Sequence, residues 1–177
     1  MARLLSEAKK RFRQNESGAA AVEFAFVGLF VISLLFSMIE MGILMVRIST
    51  FEAAVASSAN TIYTGQATNS TDIAANICDR VAMVSNCTEN ITVELVPIAD
   101  FDSRPANEVA CIDAADENQI APVVTYQTSL GSEINFLRVC ITTDIATPGL
   151  GFGLALPKND TGRFQMVAST AFMNEPF

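Results

Sequence analysis

A long uninterrupted run of apolar residues dominates the first part of the chain. Residues 19–46 contain no Lys or Arg, and residues 24–39 contain no charged side chain at all. A membrane-spanning helix needs about 20 apolar residues, each adding about 1.5 Å. The run is also longer than the apolar core of about 7–15 residues found in a cleaved signal peptide. We therefore predict a transmembrane helix over residues 19–46.

The pattern then changes to the period of an amphipathic helix. Apolar residues recur three or four positions apart at Ile48, Phe51, Val55, Ala59 and Ile62. This spacing is typical of one face of an α-helix that packs on an apolar surface. Gly65 is a suitable C-cap. We predict one continuous helix from about Ala19 to Tyr63, with an amphipathic continuation over residues 47–64.

Residues 65–177 read as an exported domain of short elements. Helical spacing predicts a helix over residues 71–83, capped by Ser70 or Thr71. Alternation predicts strands at residues 91–96, 123–130, 136–143 and 163–172, with a further short strand possible at 109–112. Pro97 should end the first strand, and the Gly131-Ser132-Glu133 sequence suggests a hairpin between 123–130 and 136–143. The predicted fold class is α+β, a long transmembrane helix extending into a small antiparallel-sheet domain.

Charge is distributed asymmetrically about the apolar run. Residues 1–18 carry five basic and two acidic side chains, whereas residues 48–177 carry five basic and fifteen acidic ones. The positive-inside rule then places the N-terminus in the cytoplasm and the acidic domain on the far side of the membrane. An acidic domain without a basic stripe also argues against nucleic acid as a partner.

All four cysteines lie beyond the apolar run, at Cys78, Cys87, Cys111 and Cys140. An even number in an exported domain indicates two disulfides. Three pairings are possible, and we favour Cys78–Cys87 with Cys111–Cys140, because the first pair closes a short local loop. A zinc site is the alternative, but the chain has no His and no Cys-x-x-Cys spacing. We therefore predict no metal site.

Other candidate sites give no catalytic residue and no cofactor. The acidic groups at Asp100/Asp102 and Asp113/Asp116/Glu117 lack the spacing of a calcium loop, so we interpret them as solvated surface. The glycines of residues 147–157 have no following Lys and open no helix, which argues against a phosphate loop. The apolar tip of that segment should contact either a neighbouring subunit or lipid, or else its own domain. Without His, and with bridged cysteines, the usual nucleophile–base arrangements are missing, so an enzyme is not predicted.

Two acids bracket the uncharged part of the run. Glu40 follows Glu23 by 17 positions, about 25 Å along a helix. Its carboxylate should either reach headgroups and water at the far interface or make a packing contact, and the sequence leaves both open. Glu23 lies just inside the predicted span, where a carboxylate costs about 2.5–3.5 kcal/mol on insertion scales. An acid in that position calls for a partner, and an amine freed by cleavage after Gly18 would supply one.

The sequence from Gly18 to Phe24, which follows a basic leader, resembles the precursors of type IV pilin-like proteins. It is most similar to the TadE-like minor pseudopilins of tight-adherence (Tad/Flp) pili. In that family the leader ends in Gly, Glu follows five residues on, and an aromatic residue comes next; Gly18, Glu23 and Phe24 occupy those places. Residues 168–176, which end in Asn-Glu-Pro, resemble the strand and C-terminal ending of the same family.

The resemblance implies that a prepilin peptidase removes the leader, residues 1–18, by cutting between Gly18 and Ala19. Glu23, with Phe24 beside it, would then serve recognition and assembly by pairing with the Ala19 amine of a neighbouring subunit. The implied partners are the peptidase, other pilin-like subunits, the assembly platform of the bacterial inner membrane and the lipid bilayer. The domain would be periplasmic or extracellular, and the function would be pilus assembly or initiation in surface adhesion. The alternative is an uncleaved, single-pass anchored binding or adhesion domain.

Overall fold

The computed structural model describes residues 17–66, 69–105, 111–119, 122–127 and 133–173. The first element is a single helix, α1 (Ser17–Tyr63), of 47 residues, about 70 Å long. Gly65 follows it with a φ of +69°, and the Gly65 N–H donates to the Ile62 carbonyl. A residue without Cβ adopts this left-handed conformation freely. The predicted continuous helix and its glycine cap are both confirmed.

The second helix, α2 (Ser70–Cys78), is shorter than the sequence predicts and is capped by a different residue. Asn69 Oδ1 accepts a hydrogen bond from the Asp72 N–H at 2.8 Å, the geometry of an N-cap side chain. The helix ends where Cys78 forms a disulfide with Cys87. The predicted continuation to residue 83 is therefore wrong, and Met83 itself has a positive φ.

Three strands form one sheet in the order β1-β2-β3, with both pairs antiparallel. The strands are β1 (Ile91–Ile98), β2 (Ile134–Thr143) and β3 (Phe164–Met173). Val139 at the centre of β2 lies opposite Val93 on one side and Ala168 on the other. This register places every second residue of each strand on the same face of the sheet, and on one face these residues are apolar.

The apolar stripe of α1 packs on that face. The buried cluster contains the helix residues Phe51, Val55, Ala59 and Ile62 together with alternate residues of all three strands and Ile73 and Ile77 of α2. The stripe predicted from the sequence is thus confirmed, as is the α+β class with a small antiparallel sheet. The sheet and α2 pack on the C-terminal half of α1, and most of the N-terminal half is left uncovered.

Pro97 does not end β1, contrary to the sequence expectation. The N–H and C=O of Leu95 bond to residues 125 and 127 on the side of β1 away from β2. Because backbone groups alternate along a strand, Pro97, two residues on, also directs its nitrogen away from β2. Its missing N–H therefore removes no bond of the β1–β2 ladder, which explains why a proline is tolerated there.

The hairpin expected between residues 123–130 and 136–143 is also wrong. Residues 122–127 are extended, and Tyr126 forms a parallel bridge with Leu95 of β1. Strand β1 therefore lies between this segment and β2. Residues 131–132 of the predicted hairpin loop lie outside the described part of the chain. The same holds for residues 128–130 and 109–110 of two predicted strands, for the leader up to residue 16 and for the Asn-Glu-Pro ending.

Two disulfides cross-link the domain, in the pairing that we favoured from the sequence. Cys78 is bonded to Cys87, with Cα atoms 5.6 Å apart, and Cys111 to Cys140, with Cα atoms 5.4 Å apart. The first joins the end of α2 to the turn before β1. The second fixes residues 111–119 to the face of β2 that points away from α1.

Candidate functional site: the uncovered helix and its junction with the domain

The N-terminal half of α1 presents an apolar surface to its surroundings. Its large side chains are exposed, including Phe24 at 79%, Phe26 at 74%, Leu29 at 68% and Phe30 at 65%. Among the described residues, α1 is the one helix long and apolar enough to cross a membrane, with a mean hydropathy of 2.4 in its most apolar window. An exposed apolar surface of this extent marks a site of contact with a membrane or with another apolar surface.

The four residues singled out around the predicted cleavage point lie at the beginning of this helix. Gly18 and Ala19 lie in the first described turn of α1, and Glu23 and Phe24 lie about one turn further on. All four side-chain positions are exposed. Within the described part of the chain, Glu23 makes no hydrogen bond or salt bridge.

Glu40, in contrast, is buried, with only 3% of its surface exposed. Its Oε1 accepts from the Ala146 N–H at 3.1 Å, and its Oε2 accepts from the N–H and hydroxyl of Thr147 at 2.7 and 2.8 Å. Hydrogen bonds to a carboxylate are roughly twice as strong as those between neutral groups. Of the two readings of this acid, the packing contact is correct, and the carboxylate does not extend to headgroups or water.

Glu40 belongs to a junction that we call the clasp, in which residues 144–156 lie along α1. Three α1 side chains form hydrogen bonds with its backbone. Arg47 Nη1 donates to the Asp144 carbonyl at 2.6 Å, and Ser37 Oγ accepts from the Phe152 N–H at 3.2 Å. Between them, the Glu40 carboxylate accepts from the N–H groups of residues 146 and 147. These three residues follow one face of the helix toward its N-terminus. The backbone of the glycine-rich segment therefore packs on its own chain, which was one of the contacts that the sequence left open.

Gly151 allows the closest approach of the clasp to α1. It has a φ of +55°, and a Cβ at this position would collide with Ser37 Oγ and lie 3.2 Å from the Ser33 carbonyl oxygen. The absence of a side chain thus brings the segment against the helix backbone. Sequence reasoning missed Ser37 and Arg47 as contacts. The available signal was Glu40 itself, an acid that closes an uncharged run and has no basic residue three or four positions away to pair with.

A buried polar network on the other side of the sheet corrects a second interpretation. Asp113 is only 2% exposed and is not part of a solvated acidic surface. Its Oδ1 accepts from Arg163 Nη1 at 2.6 Å and from the Ala115 N–H at 3.0 Å. Its Oδ2 accepts from Asn159 Nδ2 at 2.6 Å and from the Thr161 hydroxyl. The carboxylate ties residues 111–119 to the turn that precedes β3.

This environment changes the acidity of Asp113. Burial by itself raises the pKa of the carboxyl, but the hydrogen bonds from Thr161, Ala115, Arg163 and Asn159 to the charged form outweigh it and lower the pKa from 3.8 to about 2. A group whose pKa is lower in the folded state stabilises the fold above its unfolded pKa. That stabilisation is lost as the pH falls from about 4 toward 2.

We expect Asp113→Asn to flatten the acid limb of the stability curve. The urea midpoint of the full chain in detergent, read by pulse proteolysis, should fall less steeply between pH 4 and 2 than that of the wild type, while being lower at pH 7. Asp102→Asn, at an exposed position, is the control and should follow the wild-type curve. An unchanged acid slope in Asp113→Asn would contradict the assignment.

A comparison with known protein families gives a match within α1. Residues 18–60 match the family model described as TadE-like protein. The match begins at Gly18, includes Glu23, Phe24 and Glu40, and ends inside the stripe that packs on the sheet. No curated protein and no solved structure gives a significant match. Over these residues, α1 is similar to the TadE-like family.

Proposed function

We propose that the protein is a minor pseudopilin that acts in the assembly or initiation of a Tad/Flp-type pilus, and so in surface attachment. The observation that carries the proposal is that the TadE-like match, residues 18–60, includes the whole uncovered part of α1. A pilin-like subunit needs such a helix twice, first to stay in the membrane and then to pack with neighbouring helices. No catalytic step is part of this role.

The proposed topology places the N-terminus in the cytoplasm and the domain outside the inner membrane. It is supported by the basic residues before Gly18. It is supported independently by the two disulfides of the domain, because disulfides persist in oxidising compartments such as the periplasm.

In the proposed processing step, a prepilin peptidase cuts between Gly18 and Ala19. Gly18 and Ala19 lie within α1, so an extended backbone at the peptidase requires the helix to open locally at these residues. Glycine is one of the least favourable residues in a helix, so local opening costs less at Gly18 than it would at an alanine.

Glu23 acts in the step that follows. The new Ala19 amine has an ordinary pKa near 7.7–8.0 and is largely protonated at neutral pH. In an environment of low dielectric, a buried charge without a partner is strongly unfavourable. The amine of one subunit and the Glu23 carboxylate of its neighbour would therefore pair and fix the axial register between helices. The partners in this proposal are other pilin-like subunits and the assembly platform.

Mass spectrometry of the membrane-extracted protein tests the proposal. Removal of the first 18 of 177 residues should leave a chain of 159 residues that starts at Ala19. Gly18→Val should retain the leader, because a branched side chain at the cleavage point obstructs extended binding and φ freedom. Gly42→Val is the matched control, since it makes the same change on the same helix where an added Cβ meets no atom within 4 Å.

Each result separates the proposed function from its alternative. Wild type and Gly42→Val should lose the leader, and Gly18→Val should not. A full-length mass for the wild type, in cells that contain the pilus peptidase, would instead favour an uncleaved membrane-anchored binding or adhesion domain.

A further inference from the structure

The clasp places an uncharged segment beside the part of α1 that has no charges. Residues 145–157 contain no Asp, Glu, Lys or Arg, and the flanking charges are Asp144 and Lys158. Within the segment Leu154 is 63% exposed and Leu150 is 41% exposed. Both therefore project from a loop that is already fixed on the helix by Glu40 and Ser37.

The position of the clasp along the helix decides what surrounds it. The uncharged residues 24–39 span about 24 Å, whereas the hydrocarbon core of a bilayer is about 30 Å thick. With the core centred on this stretch, Ser37 lies about 8 Å from the midplane and about 7 Å below the boundary of the core. The loop residues that touch Ser37 and Ser33 are then at the depth of acyl chains.

Five N–H groups between residues 146 and 155 have partners within the protein, as hydrocarbon requires of a polar backbone. Irregular backbone is tolerated there only when its polar groups are satisfied within the protein. The N–H groups of residues 146 and 147 bond to Glu40, and that of Phe152 bonds to Ser37. The N–H groups of Leu150 and Ala155 bond to carbonyls of the loop itself. Lys158 reaches back to the Pro148 carbonyl at 3.0 Å.

We propose that residues 148–156 form a second membrane contact, a loop that enters the outer part of the bilayer beside α1 with Leu150 and Leu154 against lipid acyl chains. The occupant of this surface is lipid, because the loop continues the lipid-facing surface of α1 and carries no charge. The inference rests on α1 spanning the membrane, as in the proposed function. Its consequence is that the domain is seated on the membrane at two points, which restricts its tilt.

The absence of Trp from the chain permits a clean test. The full chain is reconstituted in vesicles of phosphatidylcholine with or without bromine on one acyl chain, and bromine quenches Trp fluorescence on contact. The loop reporters are Leu154→Trp and, as a second position, Leu150→Trp. Phe36→Trp on α1 is the control for lipid contact at the same depth. Val123→Trp, at a fully exposed position of the domain, is the control for water.

The expected result is that both loop reporters lose a fraction of their fluorescence close to that lost by Phe36→Trp, while Val123→Trp is unaffected. Quenching of Phe36→Trp with loop reporters as bright as Val123→Trp would overturn the loop contact and leave the membrane span intact. Absence of quenching in Phe36→Trp would overturn both the loop contact and the spanning helix of the proposed function.

Discussion

Cells that carry Glu23→Gln in place of the wild-type protein should keep the processed protein in the membrane but lose pili, to near the level of a deletion strain. The substitution preserves the shape of the side chain and removes its charge. Because Glu23 is exposed and makes no hydrogen bond or salt bridge among the described residues, the fold itself should not change. Membrane insertion should become easier, since a penalty of about 2.5–3.5 kcal/mol is removed.

In the proposed assembly, this variant lacks the charged partner of the neighbouring Ala19 amine. Cross-linking to other pilin-like subunits should therefore fall together with the number of pili counted by microscopy, while the mass of the mature chain stays that of the wild type. Glu52→Gln is the matched control, an exposed acid of the same helix beyond the uncharged run, and it should leave piliation normal. Normal piliation with Glu23→Gln would mean that the acid has another role.

The second large effect is expected at Arg163, which binds three acceptors at once. Its Nη1 donates to Asp113 and to Asn90 Oδ1, and its Nε donates to Asp144 Oδ1 at 2.9 Å. Arg163→Met should leave the buried Asp113 carboxylate without its cation. Removing one partner of a buried ion pair typically destabilises a protein by about 3–5 kcal/mol. The urea midpoint of the full chain in detergent, measured by pulse proteolysis, should drop accordingly.

A double-mutant cycle isolates the charge from the packing of the side chain. In an Asp113→Asn background there is no buried carboxylate to leave unpaired, so Arg163→Met should have a much smaller effect there than in the wild type. Arg104→Met, at an exposed position, is the control and should stay within about 0.5 kcal/mol of the wild type. Equal effects of Arg163→Met in both backgrounds would contradict the role assigned to the ion pair.

Most of the secondary structure could be predicted from the sequence because its causes are local. The uncharged run, the stripe from Ile48 to Ile62 and the glycine at position 65 lie within one or two turns of the residues that they organise. The strands at residues 136–143 and 163–172 follow from alternation between neighbours. The Cys78–Cys87 bridge, which spans nine positions, is local in the same sense. The Gly18–Phe24 pattern also carried the TadE-like resemblance.

Only the tertiary structure decided how distant segments meet. The Glu40 carboxylate is bound by residues more than 100 positions away, and Asp113 is buried by residues 46 to 50 positions away. The partners of each acid are distant in the sequence, so two readings of Glu40 remained open and Asp113 resembled a surface group. The insertion of β1 between Tyr126 and β2 is hidden for the same reason. Periodicity determines which face of each strand is apolar. Strand order depends on which strands the folded chain brings side by side, and a polar group is buried only where the fold supplies its hydrogen-bond partners.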